Sequence, residues 1–186
     1  MITIYFGKSA SGKDYFLKKL IRHKIQPIIS YTTRPIRDNE TNGIDYNFVT
    51  NKEFKDLIKN NKLMEYREYN TLVNNKPDIW YYGSPILDLT KDYAGVFDIN
   101  GIKKYIEYYG SENIDLVYVD IPDDSIREAR AKQRGSFDKT EWDRRKLDDD
   151  IAFSKEKISE LIKLYKKPIM RINNNSDKPL FSWIES

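Results

Sequence analysis

A chain of 186 residues suits one α/β domain with room for a small inserted lobe. Its 39% hydrophobic and 33% charged residues fit a globule with a well-charged surface, and a net charge of +3 is too small to argue for a nucleic-acid or membrane partner. The lack of cysteine removes disulfides, thiolate catalysis and cysteine-based metal sites, and with no secretory leader or long apolar run the expected location is the cytoplasm.

The chain opens on Ile2, Ile4 and Phe6, an alternating run that predicts a strand. Gly7-Lys8-Ser9-Ala10-Ser11-Gly12-Lys13 follows at once, and Phe16, Leu17, Leu20 and Ile21 then recur at helical spacing. Strand, glycine loop and helix form the context that the phosphate-cradling pattern G-x-x-x-x-G-K requires. Its glycines let backbone N–H groups converge on an anion at the positive end of a helix, and Lys13 would reach the outer phosphates as a point charge. An alanine at position 10 is tolerable there if its φ is negative. The single histidine, His23, reads as a helix-end residue, since no motif converges on it.

Pro27–Ser30 predicts a second strand, leading into Tyr31-Thr32-Thr33-Arg34-Pro35-Ile36-Arg37, which Pro35 keeps out of a helix. Asn42-Gly43 marks a turn, Asp45–Val49 a strand, and Asn51 the cap of a helix carrying Phe54, Leu57 and Ile58. Leu63–Tyr69 alternates as a strand, residues 70–78 read as a loop, and Ile79–Ser84 returns as a strand. Beyond lie a strand at Ala94–Ile99, a helix at Gly101–Tyr109 and a strand at Leu116–Ile121. Pro122-Asp123-Asp124 opens a helix carrying Arg127, Arg130, Lys132 and Arg134. After a break at 135–139, one long helix is expected from about Thr140 to Tyr165, then a strand at Ile169–Ile172 and a helical turn at Leu180–Ile184. Alternating strands and helices predict a parallel sheet with helices on both faces. The strand-rich segment near 31–84 breaks the alternation and predicts an inserted lobe in a core of 1–30 and 85–186.

Ser30-x-Thr32-Thr33-Arg34-x-x-Arg37, Gly43-x-Asp45-Tyr46-x-Phe48-Val49, Glu65-Tyr66 and Tyr82-Gly83-Ser84, in this order, resemble the guanylate kinase family. The glycine loop before them and Arg134-Gly135 after them fall where that family has such elements, so the resemblance covers the chain from Ile4 to about Ile172. It implies a P-loop α/β core, a GMP-binding lobe at about 31–84 and a helical lid at about 127–146. It also implies phosphoryl transfer from ATP to GMP or dGMP with Mg2+, by a protein expected to be a monomer without membrane or nucleic-acid partners.

Arg34 and Arg37 sit three apart on a stiffened segment, so their planar guanidinium groups could grip one phosphate, with phenol donors from Tyr46 and Tyr82. Glu65 can accept from the adjacent N1–H and N2–H of guanine, a pattern that adenine lacks. The resemblance places Ser30 and Ser84 on other edges of that ring, with Asp98 and Asn100 beside the acceptor. It sets Arg130, Arg134 and Arg145 over the ATP phosphates, with Lys13, Arg34, Arg134 and Arg145 as the catalytic set. Residues 7–14, Gly7 through Asp14, would hold ATP.

Several positions depart from the family pattern. Asp14 and Tyr15 replace the usual hydroxyl residues, so that Asp14 is a metal-ligand candidate as well as a favourable charge at a helix start. Ala10 replaces a loop glycine, Asn100 an acidic residue, and the 70–79 segment is long. An inactive guanylate-kinase-like binding module and a kinase for a different phosphorylated acceptor stand as alternatives.

Overall fold

The computed structural model describes residues 1–21, 25–38, 40–73, 76–133, 137–175 and 179–184, with backbone alone at 71–73 and 76. In chain order the elements are β1 (Ile2–Phe6), α1 (Lys13–Ile21), β2 (Gln26–Pro27), β3 (Tyr31–Thr32), β4 (Asn47–Phe48), α2 (Asn51–Lys59), β5 (Leu63–Val73) and β6 (Lys76–Pro85). Then come β7 (Tyr93–Val96), α3 (Ile99–Tyr109), β8 (Ile114–Asp120), α4 (Asp124–Lys132), α5 (Lys139–Ala152), α6 (Lys155–Tyr165), β9 (Ile169–Asn173) and β10 (Leu180–Ile184). They divide into two compact units, one of residues 1–26 and 91–186, the other of residues 27–90.

The first unit is an α/β layer around a six-stranded sheet of order β10-β9-β8-β1-β7-β2. β1 pairs in parallel with β7 and β8, and β8 with β9; β10 runs antiparallel at the edge. Side chains alternate between the faces of a strand. Tyr5, Val117, Val119 and Ile172 therefore meet Phe16 of α1 on one face. Ile4, Phe6 and Leu116 are buried on the other, together with Ile102 and Tyr105 of α3 and Leu161 of α6. Tyr165 ties α6 to this face by donating from its hydroxyl to the Ile114 carbonyl at 2.7 Å. Burying each such aliphatic side chain is worth roughly 1.5–3 kcal/mol. A central strand buried on both sides leaves the chain at its carboxyl end, which is where the glycine loop begins.

The second unit is a four-stranded sheet of order β4-β3-β6-β5 with α2 against it through Phe54. Thr50, not Asn51, caps α2: its side chain accepts from the Glu53 amide while Glu53 returns to the Thr50 amide, a reciprocal box.

Several expectations change. Residues 70–78 are not a loop, because β5 and β6 form a hairpin paired from Leu63↔Pro85 to Val73↔Lys76. Pro77 is tolerated because β6 there has a strand on one side only; β3 reaches it only at Tyr82 and Gly83. The C-terminal segment is strand β10 rather than a helical turn, laid along β9 from Leu180↔Asn173 to Ile184↔Ile169. The Ala94–Ile99 run splits, since Asp98 adopts an extended conformation, accepts from the Gly101 amide and starts α3. Of the strand expected at Pro27–Ser30 only Pro27 is in β2, which begins at Gln26, and that at Asp45–Val49 contracts to the two residues of β4.

The expected long helix also divides. α5 ends at Ala152 with Phe153 as its C-cap, and Ser154 turns extended (φ −61°, ψ 157°) so that its side chain accepts from the Lys157 amide and starts α6. Serine competes well for an orphan helix amide but gains nothing inside a helix. Ser154→Ala is therefore expected to lower stability by about 1 kcal/mol, read as a shift of the urea midpoint at constant slope.

Candidate functional site

In the first unit the loop between β1 and α1 is shaped by close backbone approach. Gly7 has φ 142°, and a Cβ there would stand 2.2 Å from the Val119 carbonyl oxygen. Gly12 has φ 98° and would place a Cβ 2.6 Å from the Asn174 amide nitrogen. Ala10 does not meet the condition of a negative φ: its φ is 58°, in the left-handed region. An L-residue there is held at a cost of roughly 1–2 kcal/mol. Lys13 is the first residue of α1, and its ammonium donates to the Gly7 and Lys8 carbonyls, each at 2.8 Å. This holds the cation across the loop at the helix N-terminus, the geometry that suits an anion.

Three residues around the loop escaped the sequence reading. Arg127 of α4, with no exposed surface, donates to Asp124 at 2.5 Å, to Asp149 of α5 at 3.1 Å and to the Ser9 carbonyl at 3.3 Å, with its guanidinium 5.6 Å over the Trp142 ring. Asp149 in turn accepts from the Ser9 amide at 2.7 Å and the Ser9 hydroxyl at 3.2 Å. Asn174 donates to the Ser11 carbonyl at 2.8 Å and accepts at its own carbonyl from Arg130 at 3.0 Å. Their signal was faint: a buried arginine looks like any other in a basic helical run, and Asn174 stands among three asparagines.

Arg130 thus stands beside the loop. Lys8 points its ammonium at Asp150, 2.5 Å away. Ser11 is fully buried, and its hydroxyl has no hydrogen-bond partner among the described residues. Asp14 is exposed in the first turn of α1. Arg134 and Gly135 lie outside the described residues, as does His23. Arg145 is more than half exposed, and its Nε donates to Glu141 at 2.7 Å. Asp98 serves as the α3 cap, and with Asn100, Asp148 and Lys157 it lines a cavity of about 320 Å³.

The second unit holds the acceptor candidates other than Asp98 and Asn100, which belong to the first. Arg34 is 5% exposed, with its guanidinium 5.6 Å over the Tyr46 ring and 5.5 Å over Phe48. Glu40, another residue the sequence did not single out, accepts from both its terminal nitrogens at 2.9 and 2.7 Å and from the Arg37 amide at 2.9 Å. The Glu40 hydrogen bond, helped by its charge, raises the Arg34 pKa, and the Tyr82 phenol beside the guanidinium adds to the rise. Tyr46 and Tyr82 stand edge to face at 6.1 Å, and burial raises the Tyr46 pKa. Arg37 is exposed. Glu65 and Ser84 face each other across β5 and β6, with the Ser84 hydroxyl donating to Glu65 Oε1 at 2.9 Å. Ser30 precedes β3, half-buried, with its carbonyl accepting from the Asn47 amide.

Chemically, the first unit offers a cationic glycine loop for phosphates. The second offers a buried guanidinium among phenols and a carboxylate fixed by a serine, which suit an anion and a ring with adjacent N–H donors. Among the described residues no three carboxylate or histidine groups cluster to hold a metal, and no helix is long and apolar enough to cross a membrane.

Comparison of the sequence with known proteins gives one consistent result. The family model described as guanylate kinase matches residues 2–161. A guanylate kinase from Lactobacillus delbrueckii subsp. bulgaricus is 32% identical over 145 residues, 73% of this chain and 66% of that relative. One from Streptococcus pyogenes is 26% identical over 205 aligned positions, covering 96% of this chain and 92% of its own. The crystal structure of a guanylate kinase from Anaplasma phagocytophilum matches with a TM-score of 0.48 at 19% identity, covering 88% of this chain and 93% of that one.

The Arg127 cluster has a pH signature. Burial works to raise the Asp124 carboxyl, but hydrogen bonds from Arg127 and Lys146 outweigh it and hold the pKa at about 2, below the ordinary 3.8. A depressed carboxyl adds stability above its unfolded pKa, and that stability is lost as pH falls through the folded value. Stability should therefore drop between about pH 4 and pH 2. Asp124→Asn is expected to lower stability at pH 7 and to flatten the acid slope, measured by urea unfolding across that range.

Proposed function

This chain belongs to the guanylate kinase family, and on that premise we infer that it transfers the γ-phosphoryl group of ATP to GMP or dGMP. The observation that carries the acceptor assignment is the Glu65–Ser84 pair at 2.9 Å. The serine occupies one oxygen of the carboxylate from the side, so the group is oriented as an acceptor before any base arrives. Guanine presents two adjacent donors to such a carboxylate, whereas adenine would set an unprotonated nitrogen against it. A site that depends on such hydrogen bonds rejects the analogue lacking them strongly.

Each residue then has a task. The loop amides and Lys13 take the ATP phosphates, with Arg130 beside them; Arg134 and Arg145 are assigned to the same charge by family resemblance. Arg34, with Arg37, Tyr46 and Tyr82, binds the acceptor phosphate, while Ser30, Ser84, Asp98 and Asn100 complete the acceptor set. Transfer demands little covalent help from the protein: positioning of the attacking oxygen and neutralisation of the γ-phosphoryl charge supply most of the effect.

Mg2+ fits the donor set: Asp14 offers a hard oxygen at the start of α1, the partnerless Ser11 hydroxyl is a second oxygen in the loop, and such an ion draws its remaining ligands from phosphates and water. When bound, the ion neutralises phosphate charge. Lys13 keeps its own role beside it, donating to phosphate oxygens in place of the Gly7 and Lys8 carbonyls.

The test is a coupled ADP-release assay with ATP, Mg2+ and a panel of nucleoside monophosphates. GMP or dGMP is expected to be the preferred acceptor, and no turnover with any of them would overturn the reading. Glu65→Gln replaces one acceptor oxygen by a donor, and the ratio of kcat/KM for GMP over AMP should narrow by about tenfold or more. Unchanged discrimination would move base recognition to other residues.

A further inference from the structure

We propose that Glu40 is the positioning residue of the acceptor-phosphate site: it holds Arg34 by one edge of its guanidinium so that the other edge is presented to the substrate phosphate. The inference rests on the acceptor reading above.

A guanidinium has five N–H bonds arranged around a plane. On Arg34 one terminal nitrogen donates to the Pro35 carbonyl at 2.7 Å and to Glu40 Oε2 at 2.9 Å, which uses both its hydrogens. The other terminal nitrogen gives one hydrogen to Glu40 Oε1 at 2.7 Å. Its second hydrogen and Nε–H form the edge opposite the Pro35 contact, matched in width to two oxygens of a phosphate, and the Tyr82 phenol stands beside the guanidinium as a further group for that phosphate. The Tyr46 and Phe48 rings lie within 5.6 Å of the guanidinium carbon and restrict its tilt. Glu40 is itself held in place, since Oε2 also accepts from the Arg37 amide at 2.9 Å and the Glu40 amide donates to the Arg37 carbonyl at 3.0 Å. One carboxylate therefore fixes the rotation of Arg34 and the turn that carries Arg37. Its own pKa is lowered, chiefly by the Arg34 hydrogen bond, so it stays an anion when the acceptor binds.

A carboxylate on the guanidinium could instead act as a competitor that substrate phosphate must displace. The donor count argues otherwise, because Glu40 and the phosphate need different edges and the buried cation can serve both at once. The two roles predict opposite signs.

The experiment compares the wild type with Glu40→Gln and Glu40→Asp, measuring kcat and KM for GMP and for ATP, GMP binding by calorimetry, and thermal midpoints. In Glu40→Gln an amide N–H faces the guanidinium and Arg34 loses its orientation. KM and Kd for GMP are expected to rise about tenfold, with KM for ATP within twofold. Glu40→Asp keeps the charge one methylene short and should recover part of the loss. A lower KM for GMP in Glu40→Gln would overturn the proposal in favour of competition. A fallen midpoint with unchanged KM and Kd for GMP in Glu40→Asp would reduce Glu40 to a fold-stabilising residue. If the wild type neither binds nor phosphorylates GMP, the acceptor reading itself fails and this inference falls with it; a GMP-active wild type with unmoved variants overturns the inference alone.

Discussion

The first unit depends on one buried cation. Arg127 has no contact with solvent and serves three places at once: the α4 terminus through Asp124, α5 through Asp149, and the glycine loop through the Ser9 carbonyl. Removing one partner of such a group leaves a charge in low dielectric, which costs about 3–5 kcal/mol. α4, α5 and the loop are therefore coupled electrostatically as well as by packing. The loop can keep a left-handed alanine and two glycines in strained or crowded positions because its surroundings are themselves anchored.

The second unit solves a different problem with similar means. Arg34 is nearly as buried, but its carboxylate partner comes from the next turn of the same segment rather than from a distant helix. Local closure needs little of the rest of the chain, so the proposed phosphate-binding end is set by a span from Arg34 to Glu40. The proposed ring-reading end is set by strand pairing, because Glu65 and Ser84 face one another only while the β5–β6 register holds. A slip by one residue would turn Glu65 to the opposite face of the sheet.

Much of this was legible from the residues, and the failures have physical causes. The strand–loop–helix opening could be read because its signals are local: alternation, glycine spacing and a helical stripe. The hairpin at 70–79 was hidden by proline and asparagine, which usually mark loops; Leu72, Ile79 and Trp80 around the Asn74-Asn75 pair were the neglected signal. Ser154 within an apolar stripe gave no warning that it would cap a helix rather than continue one. Ala10 could not be placed in the left-handed region without knowing the loop path. Arg127, Asp149 and Asn174 act through partners as far as 163 residues away, and no spacing rule reaches across such separations; Glu40 acts on Arg34 six residues back, across a turn that the sequence did not show.

The packing of Trp142 beneath Arg127 makes the chain an optical instrument. Indole emission depends on the polarity and the electric field around the ring, and the three tryptophans sit in three different settings. Trp142 is buried under a guanidinium, Trp80 is half-buried and stacked on Tyr69, and Trp183 is exposed on β10. Loosening of α5 from α4 would change the field at Trp142 and leave the other two as internal references. The cation that ties α4, α5 and the glycine loop together thus also lights its own readout, and no label has to be attached to see it.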